Sequence, residues 1–175
     1  VKKSARAQGR HKKQSGGHGQ FGDCWIVLEP KPRGEGFEYV DATVGGSIPK
    51  QYIPAIERGI LETSARGVVA GYPFVDFKVT VDDGSCHAVD SSEMAFKTAG
   101  SLAFKKAVKE AQPVLLEPVM KVAILTPEEF MGDIMGDLNS RRGRVLGMES
   151  VGKNQVVNAY VPMAEVQSYA PDLRS

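Results

Sequence analysis

The sequence predicts an α+β fold in two consecutive domains, and three observations support this. Strand-like segments with period-two alternation are interspersed with segments of helical spacing. The pattern restarts after Glu117-Pro118. A length of 175 residues suffices for one ordinary domain or two small ones. We therefore assign residues 1–117 to a first domain of strands and two helices, and residues 118–175 to a second domain.

The first domain opens with segments that favour strands. A basic stretch leads into Ser15 to Gly22, which holds four glycines in eight residues and therefore predicts a turn. Cys24 to Leu28 is an apolar run typical of a buried strand, and Phe37 to Val44 predicts another. These segments suggest hairpins, with the glycine loop at one tip.

A helix and then a strand are predicted in the middle of the first domain. Apolar residues from Ile53 to Leu61 fall at helical spacing, Pro54 suits a first turn, and Gly67 suits a C-terminal cap. Phe74 to Val81 alternates cleanly as a strand. Asp82-Asp83-Gly84 then predicts a turn.

The second helix of this domain is predicted from Asp90 to about Ala111. Asp90, with Glu93 three residues later, forms a capping box, and Pro113 closes the segment. The expected buried face consists of residues at helical spacing: Phe96, Ala99, Ala103 and Ala107.

The second domain begins with a strand and a helix. Alternate residues from Met120 to Ile124 are apolar, as in a strand. Thr126-Pro127-Glu128-Glu129 predicts a helix start, with a capping Thr and Pro at the first helical position. We expect that helix to continue to Arg142 and to stop at Gly143.

A hairpin and another helix complete the pattern. Arg144 to Ser150 and Gln155 to Val161 predict a hairpin across Gly152-Lys153-Asn154, and Ala164 to Tyr169 predicts a helix. The order β-α-β-β-α is that of a split βαβ, ferredoxin-like unit without its last strand. Such a sheet leaves one edge unpaired, so we expect the chain to be part of a longer protein.

Composition limits the class of protein. Hydrophobic residues make up 42% and charged residues 25%, as in a soluble protein, and no apolar run approaches the length of a membrane span. Cys24 and Cys86 lack metal-ligand spacing and favour a reduced, intracellular protein, with a single disulfide as the alternative.

Charge is unevenly distributed along the chain. The net charge is +1, yet residues 1–22 hold six of the 22 basic residues and no acidic one. Such a block is either a solvated, self-repelling tail or an anion-binding surface. Its members are Lys2, Lys3, Arg6, Arg10, Lys12 and Lys13.

The glycine loop matches G-x-G-x-x-G from Gly17 to Gly22. A dinucleotide site would require a helix after it, whereas a strand is predicted there. A protein-kinase loop would require H-R-D and D-F-G sequences, which are absent, as is any P-loop sequence. The loop beside a basic strand suits the phosphate backbone of RNA, and an ordinary hairpin turn is the alternative.

His87 precedes the predicted N-terminus of a helix, where the helix dipole favours anions. The alternative is a surface histidine without a specific role. No base or nucleophile accompanies it, and the three histidines lack metal-ligand spacing, so we predict neither a catalytic residue nor a metal site. Arg141-Arg142-Gly143-Arg144 is most simply the positively charged end of a helix.

Several segments strongly resemble the C-terminal part of bacterial-type translation elongation factor G, and together they cover essentially the whole chain. The two most specific segments are Gly9 to Gly22 (GRHKKQSGGHGQFG) and His87 to Lys97 (HAVDSSEMAFK). The further matches are Ile48 to Ala55 (IPKQYIPA), Ala70 to Pro73 (AGYP), Pro113 to Pro118 (PVLLEP) and Gly132 to Leu138 (GDIMGDL).

The resemblance implies both fold and role. Residues 1–117 would be domain IV, with a fold like domain 2 of ribosomal protein S5 and a left-handed βαβ crossover. Residues 118–175 would be domain V, which is ferredoxin-like, without its last strand. In the family, the tip of domain IV enters the decoding region of the small ribosomal subunit and promotes GTP-dependent movement of transfer RNA and messenger RNA.

The resemblance also implies the site residues. Two segments would contact RNA, flanked by basic side chains. The first contributes Ser15, Gly16, Gly17, His18, Gly19, Gln20 and Phe21, the second contributes Cys86, His87 and Ala88, and the flank is Arg10, Lys12 and Lys13. His18 stands where the family often has Arg, and Cys86 and Ala88 replace the more usual Tyr and Asp, which affects the strength of RNA contact. The two loops should lie at one end of the domain.

The implied partners are the ribosome, its RNA, transfer RNA and messenger RNA, with domain V near the sarcin–ricin loop and stalk base of the large subunit. We expect a cytoplasmic monomer with no cofactor in this part of the protein. GTP and magnesium would bind a separate GTPase domain, so this part would not itself be an enzyme. The alternatives are a paralogue that recycles or protects ribosomes and, from another class, a free-standing RNA-binding module.

Overall fold

The computed structural model of the chain describes residues 1–174 and divides into two compact units, Val1–Val114 and the residues from Leu115 onwards. Each unit combines helices with one sheet, so the predicted α+β class is confirmed. None of the helices in the described residues has the length and apolar character needed to cross a bilayer.

The first unit contains a four-stranded mixed sheet in the order β1-β2-β4-β3. The pair β1/β2 and the pair β2/β4 are antiparallel, whereas β3 runs parallel to β4. The strands are β1 (Ala5–Lys13), β2 (Gln20–Pro30), β3 (Phe37–Asp41) and β4 (Phe77–Ser85). The predicted hairpin of β1 and β2 is confirmed.

The expected hairpin between the second and third strands is wrong, because β4 lies between β2 and β3. A parallel pair needs a crossover connection of a dozen or more residues, and the chain supplies one through α1 (Ile53–Arg66). Within α1, the predicted positions of Pro54 in the first turn and Gly67 at the C-terminal cap are confirmed.

The predicted turn at Asp82-Asp83-Gly84 is also wrong, because β4 continues through it to Ser85. Val81 pairs with Ile26 and Asp83 pairs with Trp25, so Asp82 is an extra residue in an irregular register. A β-bulge of this kind accommodates polar residues and glycine inside a strand. It lets β2 and β4 extend together toward the glycine loop.

Helices α1 and α2 (Glu93–Glu110) pack on one face of this sheet and form the core with it. The predicted buried face of α2, with Phe96, Ala99, Ala103 and Ala107 fully enclosed, is confirmed. The capping box at Asp90 is wrong, since the N-cap is Ser92, whose hydroxyl accepts from the backbone N–H of Ala95 at 3.1 Å.

The second unit contains a three-stranded antiparallel sheet in the order β5-β7-β6. Helix α3 (Met131–Ser140) packs on the sheet through Ile134 and Leu138. The element order is the split βαβ arrangement expected for this part of the chain. The elements are β5 (Val119–Pro127), α3 (Met131–Ser140), β6 (Arg144–Val151), β7 (Asn154–Pro162), α4 (Met163–Val166) and α5 (Tyr169–Asp172).

The ends of α3 differ from the prediction. Thr126 is a buried strand residue and not a cap, and a 3-10 turn at Glu128–Phe130 precedes the helix. At the other end Arg142, with φ of 58°, adopts the left-handed conformation, and Gly143 donates its N–H to the carbonyl of Leu138 at 2.7 Å. The predicted last helix is divided between α4 and α5.

Candidate functional site

The glycine-rich loop connects β1 to β2 at the end of their hairpin. Lys13 pairs with Gln20, so residues 14–19 form the connection. Gly16 has φ of +35° and Gly17 has φ of +153°, which are conformations that residues with a Cβ rarely adopt. Open space surrounds the position of a Cβ on Gly16. The loop therefore needs these glycines for their backbone conformation.

The second predicted segment, residues 86–91, lies directly against the start of β2. The backbone N–H of Phe21 donates to the carbonyl of Asp90 at 2.8 Å, and the hydroxyl of Ser91 donates to the carbonyl of Phe21 at 2.9 Å. The ring centroids of Phe21 and His87 are 6.2 Å apart. The prediction that the two segments lie at one end of the unit is confirmed, and we call residues 14–21 and 86–91 together the tip.

His87 is held in the tip through one ring nitrogen. Its Nδ1 accepts hydrogen bonds from the backbone N–H groups of Val89 at 3.3 Å and Asp90 at 3.1 Å. The Asp90 carboxylate lies 3.6 Å from the same nitrogen. The side chain of His87 is 53% exposed. The imidazole is therefore anchored on its inner edge and accessible on its outer edge.

Close backbone packing supports the tip from below. A Cβ on Gly22 would lie 2.5 Å from the carbonyl oxygen of Ala95, and one on Gly19 would lie 2.7 Å from the Asp90 carboxylate. The distance at Gly22 is well inside van der Waals contact with helix backbone, so only glycine at that position lets the hairpin lie directly on α2. The contact at Gly19 is with the end of a flexible side chain, which can move aside. The same helix that begins after His87 thus sets the position of the glycine loop.

The basic side chains of β1 differ in whether they form a salt bridge. Arg6 forms two hydrogen bonds with the Asp82 carboxylate, at 2.8 and 3.1 Å, and this partner raises the pKa of Arg6. Arg10, Lys12 and Lys13 are exposed and form no salt bridge within residues 1–174. The guanidinium of Arg10 lies 5.5 Å from the centroid of the Phe21 ring. Gly9 is buried against α2, and successive residues of a strand face opposite sides of the sheet. Arg10 and Lys12 therefore lie on the sheet face opposite the helices.

The remaining predicted residues are on the surface of the tip. Gln20 is tied to the hairpin, since its Oε1 lies 2.7 Å from Nε2 of His11. Both cysteines are free, Cys24 buried in the core and Cys86 exposed in the tip, so the alternative of a disulfide is wrong. The other predicted residues that are exposed are Ser15, Gly16, Gly17, His18 and Ala88.

Sequence reasoning missed the polar residues that hold the tip together. Asp23, only 7% exposed, accepts from Nε2 of Gln8 at 2.7 Å and from the hydroxyl of Ser85 at 2.6 Å. These bonds join β1, β2 and the end of β4. Ser91 was not singled out either. One of its partners, Phe21, is 70 residues away in sequence, and the other, His87, lies in an irregular loop. The only available signal was an unusual density of small polar residues before α2.

The groups at the tip are of kinds that bind nucleic acid. In the described part of the chain, no group of three His, Cys, Asp or Glu residues is placed to hold a metal ion. The thiol of Cys86 lies 3.8 Å from the carbonyl oxygen of His87. The tip presents exposed backbone and an imidazole, and the neighbouring Arg10, Lys12 and Lys13 add three exposed cations. Proteins direct groups of these kinds at phosphates and base edges.

Each of the two units matches a known protein-family model. Residues 1–112 match the family model described as elongation factor G, domain IV, and residues 114–175 match that described as elongation factor G C-terminus. The chain belongs to the elongation factor G family. The first unit is thus an elongation factor G domain IV, and the tip is a feature of that domain.

A crystal structure of a protein from Thermus thermophilus is similar to this elongation factor G chain. The two share 51% sequence identity with a TM-score of 0.79. The alignment covers 97% of this chain and 25% of the Thermus protein. The chain therefore spans about a quarter of the length of that protein.

Proposed function

We propose that this chain is the ribosome-contacting arm of an elongation factor G translocase. Its tip enters the decoding region of the small subunit and accompanies transfer RNA and messenger RNA as they move. The second unit contacts the large subunit near the sarcin–ricin loop and stalk base. GTP and magnesium bind a GTPase domain elsewhere in the full-length protein, which works in the cytoplasm, and this arm carries no cofactor.

One observation carries the proposal: two loops far apart in sequence are joined at one end of the domain, beside cations that have no acidic partner. The backbone N–H of Phe21 donates to the carbonyl of Asp90 at 2.8 Å, and the hydroxyl of Ser91 donates to the carbonyl of Phe21 at 2.9 Å. Arg10, Lys12 and Lys13 remain available to neutralise phosphates, whereas Arg6 is already paired. A polyanion with exposed bases is the class of ligand that such a surface fits.

The proposal is tested by movement of messenger RNA on ribosomes, driven by the full-length factor with and without His87→Ala. Loss of a hydrogen bond to a charged group is worth about 1.5–3 kcal/mol, so we expect single-round movement to slow about 10- to 150-fold. GTP hydrolysis should change little, because the tip holds no nucleotide-binding group.

A matched control is Lys109→Ala in the last turn of α2. Lys109 is exposed, and it lies 16 residues beyond the start of α2, which is roughly 24 Å along the helix from the tip. We expect its movement rate to equal that of the wild type. Loss of GTP hydrolysis in His87→Ala would reject the tip role. Splitting of subunits or release of an antibiotic, without movement by one codon, would instead identify a recycling or protection paralogue.

A further inference from the structure

Ser91 occupies the junction between the two loops of the tip. Its hydroxyl accepts a hydrogen bond from the backbone N–H of His87 at 2.8 Å and donates one to the carbonyl of Phe21 at 2.9 Å. The backbone N–H of Ser91 also donates to the carbonyl of His87 at 3.2 Å. The hydroxyl of Ser91 thus donates its hydrogen to the glycine loop and accepts a hydrogen bond from the segment that contains His87.

The hydrogen bonds at His87 determine which ring nitrogen carries the hydrogen. A nitrogen that accepts from N–H groups cannot itself be protonated, and Nδ1 accepts from both Val89 and Asp90. In the neutral ring the hydrogen must therefore be on Nε2. Within residues 1–174, Nε2 of His87 has no hydrogen-bond partner. The side chain is 53% exposed, and we take the N–H of Nε2 as the donor that an external partner can reach.

We infer that Ser91 is the positioning residue of the tip, holding His87 so that its Nε2–H donates to an acceptor atom of RNA. Suitable acceptors are a phosphate oxygen, a ribose hydroxyl, or a carbonyl or ring nitrogen of a base. This inference rests on the proposed function for its RNA partner. The internal arrangement of Ser91 and His87 can be tested without ribosomes.

The first test is the tautomer of His87 in the isolated chain, read from the ring nitrogen shifts in a ¹⁵N NMR spectrum at a pH where the ring is neutral. The expected result is a protonated Nε2 and an unprotonated Nδ1. A ring protonated at Nδ1, or an equal mixture of the two forms, would overturn the inference whatever the ribosome experiments show.

The second test compares Ser91→Ala with Ser91→Thr and Ser92→Ala. Removal of the Ser91 hydroxyl should speed hydrogen exchange at the His87 backbone N–H about 3- to 10-fold, as loss of one net hydrogen bond implies. Thr retains a hydroxyl and should restore most of the protection. Ser92→Ala removes the adjacent helix cap without touching this junction, so it controls for general loosening. Equal exchange in all four proteins would contradict the role of Ser91.

The third test separates the two nitrogen functions in the movement assay. His87→Gln can place its amide N–H donor at about the reach of Nε2, whereas the amide of His87→Asn is one methylene shorter and reaches only about the position of Nδ1. We expect Gln to retain more of the movement rate than Asn, by about 10-fold. Equal loss in both would exclude a donor role for Nε2.

A double-mutant cycle then asks whether Ser91 acts through His87. Ser91→Ala should slow movement in the wild type and have no further effect in His87→Ala. Additive effects would show that Ser91 contributes independently of His87 and would overturn its assignment as a positioning residue. If His87→Ala itself does not slow movement, the proposed function fails, while the tautomer and exchange tests still decide the internal arrangement.

Discussion

Gly9→Ala is the substitution that most directly tests how the hairpin is supported. Gly9 lies in β1 opposite Cys24, and a Cβ there would be 2.5 Å from the backbone nitrogen of Ala103 and closer still to the carbonyl oxygen of Ala99. Its φ is not positive, so the backbone conformation itself suits alanine. The loss of stability is therefore steric. The added Cβ clashes with the backbone of α2, which cannot rotate away as a side chain can.

The magnitude follows from the number of rigid atoms involved. Overpacking of a core by one methyl group typically costs about 1–3 kcal/mol, and contacts with helix backbone belong at or above the upper end of that range. For an m-value of about 1–3 kcal/mol per molar urea, a loss of about 3 kcal/mol lowers the unfolding midpoint by about 1–3 M.

The assay is urea unfolding followed by fluorescence of Trp25, the single tryptophan, which lies in β2 beside the altered strand. Lys12→Ala, at an exposed position of the same strand, controls for the loss of a side chain and should change stability by no more than about 0.5 kcal/mol. A Gly9→Ala midpoint equal to that of Lys12→Ala would refute the direct packing of β1 on α2 and with it the support of the tip.

Three further substitutions and measurements follow from the structure. Ser92→Ala should destabilise the first unit by about 0.5–2 kcal/mol in the same fluorescence assay, because Ser92 caps α2. Ser92→Asp should retain most of the stability, and an unchanged midpoint for Ser92→Ala would contradict the cap. Burial raises the pKa of the Cys24 thiol to about 12, so at about pH 8 a thiol reagent should modify Cys86 rapidly and Cys24 only after unfolding; two rapidly reacting thiols in the native chain would refute the burial of Cys24. Gly136 lies in α3 with open space around the position of a Cβ, so Gly136→Ala should stabilise the second unit by about 0.5–1 kcal/mol. Thermal unfolding followed by circular dichroism measures this, and a lower midpoint than that of the wild type would contradict the open space at this position.

The regular elements of the fold were predictable because local patterns determine them. The buried alanines of α2 and the cap at Gly67 follow from helical spacing and from the conformational preference of glycine. The order of the strands was not predictable in the same way. Whether Phe37–Asp41 pairs with β2 or β4 depends on a crossover through α1, which no local pattern specifies.

The candidate site was predictable in its main features but not in its internal contacts. The glycine loop and His87 were identified from composition, helix-end electrostatics and family resemblance, and their proximity is confirmed. Ser91 and Asp23 were missed because their roles depend on partners brought close only by the fold. The N-cap of α2 was predicted at Asp90 for the same reason. In the fold Ser92 is the cap, and Asp90 lies beside the His87 ring.

The central claim is that the tip works against RNA of the small subunit, and the exposed Cys86 offers a direct measurement. A tethered iron chelate attached to Cys86 generates hydroxyl radicals that cut nearby RNA, while the buried Cys24 stays unmodified. With the full-length factor bound to ribosomes, we predict cuts in the small-subunit RNA of the decoding region, and none when Cys86 is replaced by Ser. Cuts confined to the large subunit, or no cuts above those of the Cys86→Ser control, would contradict the claim.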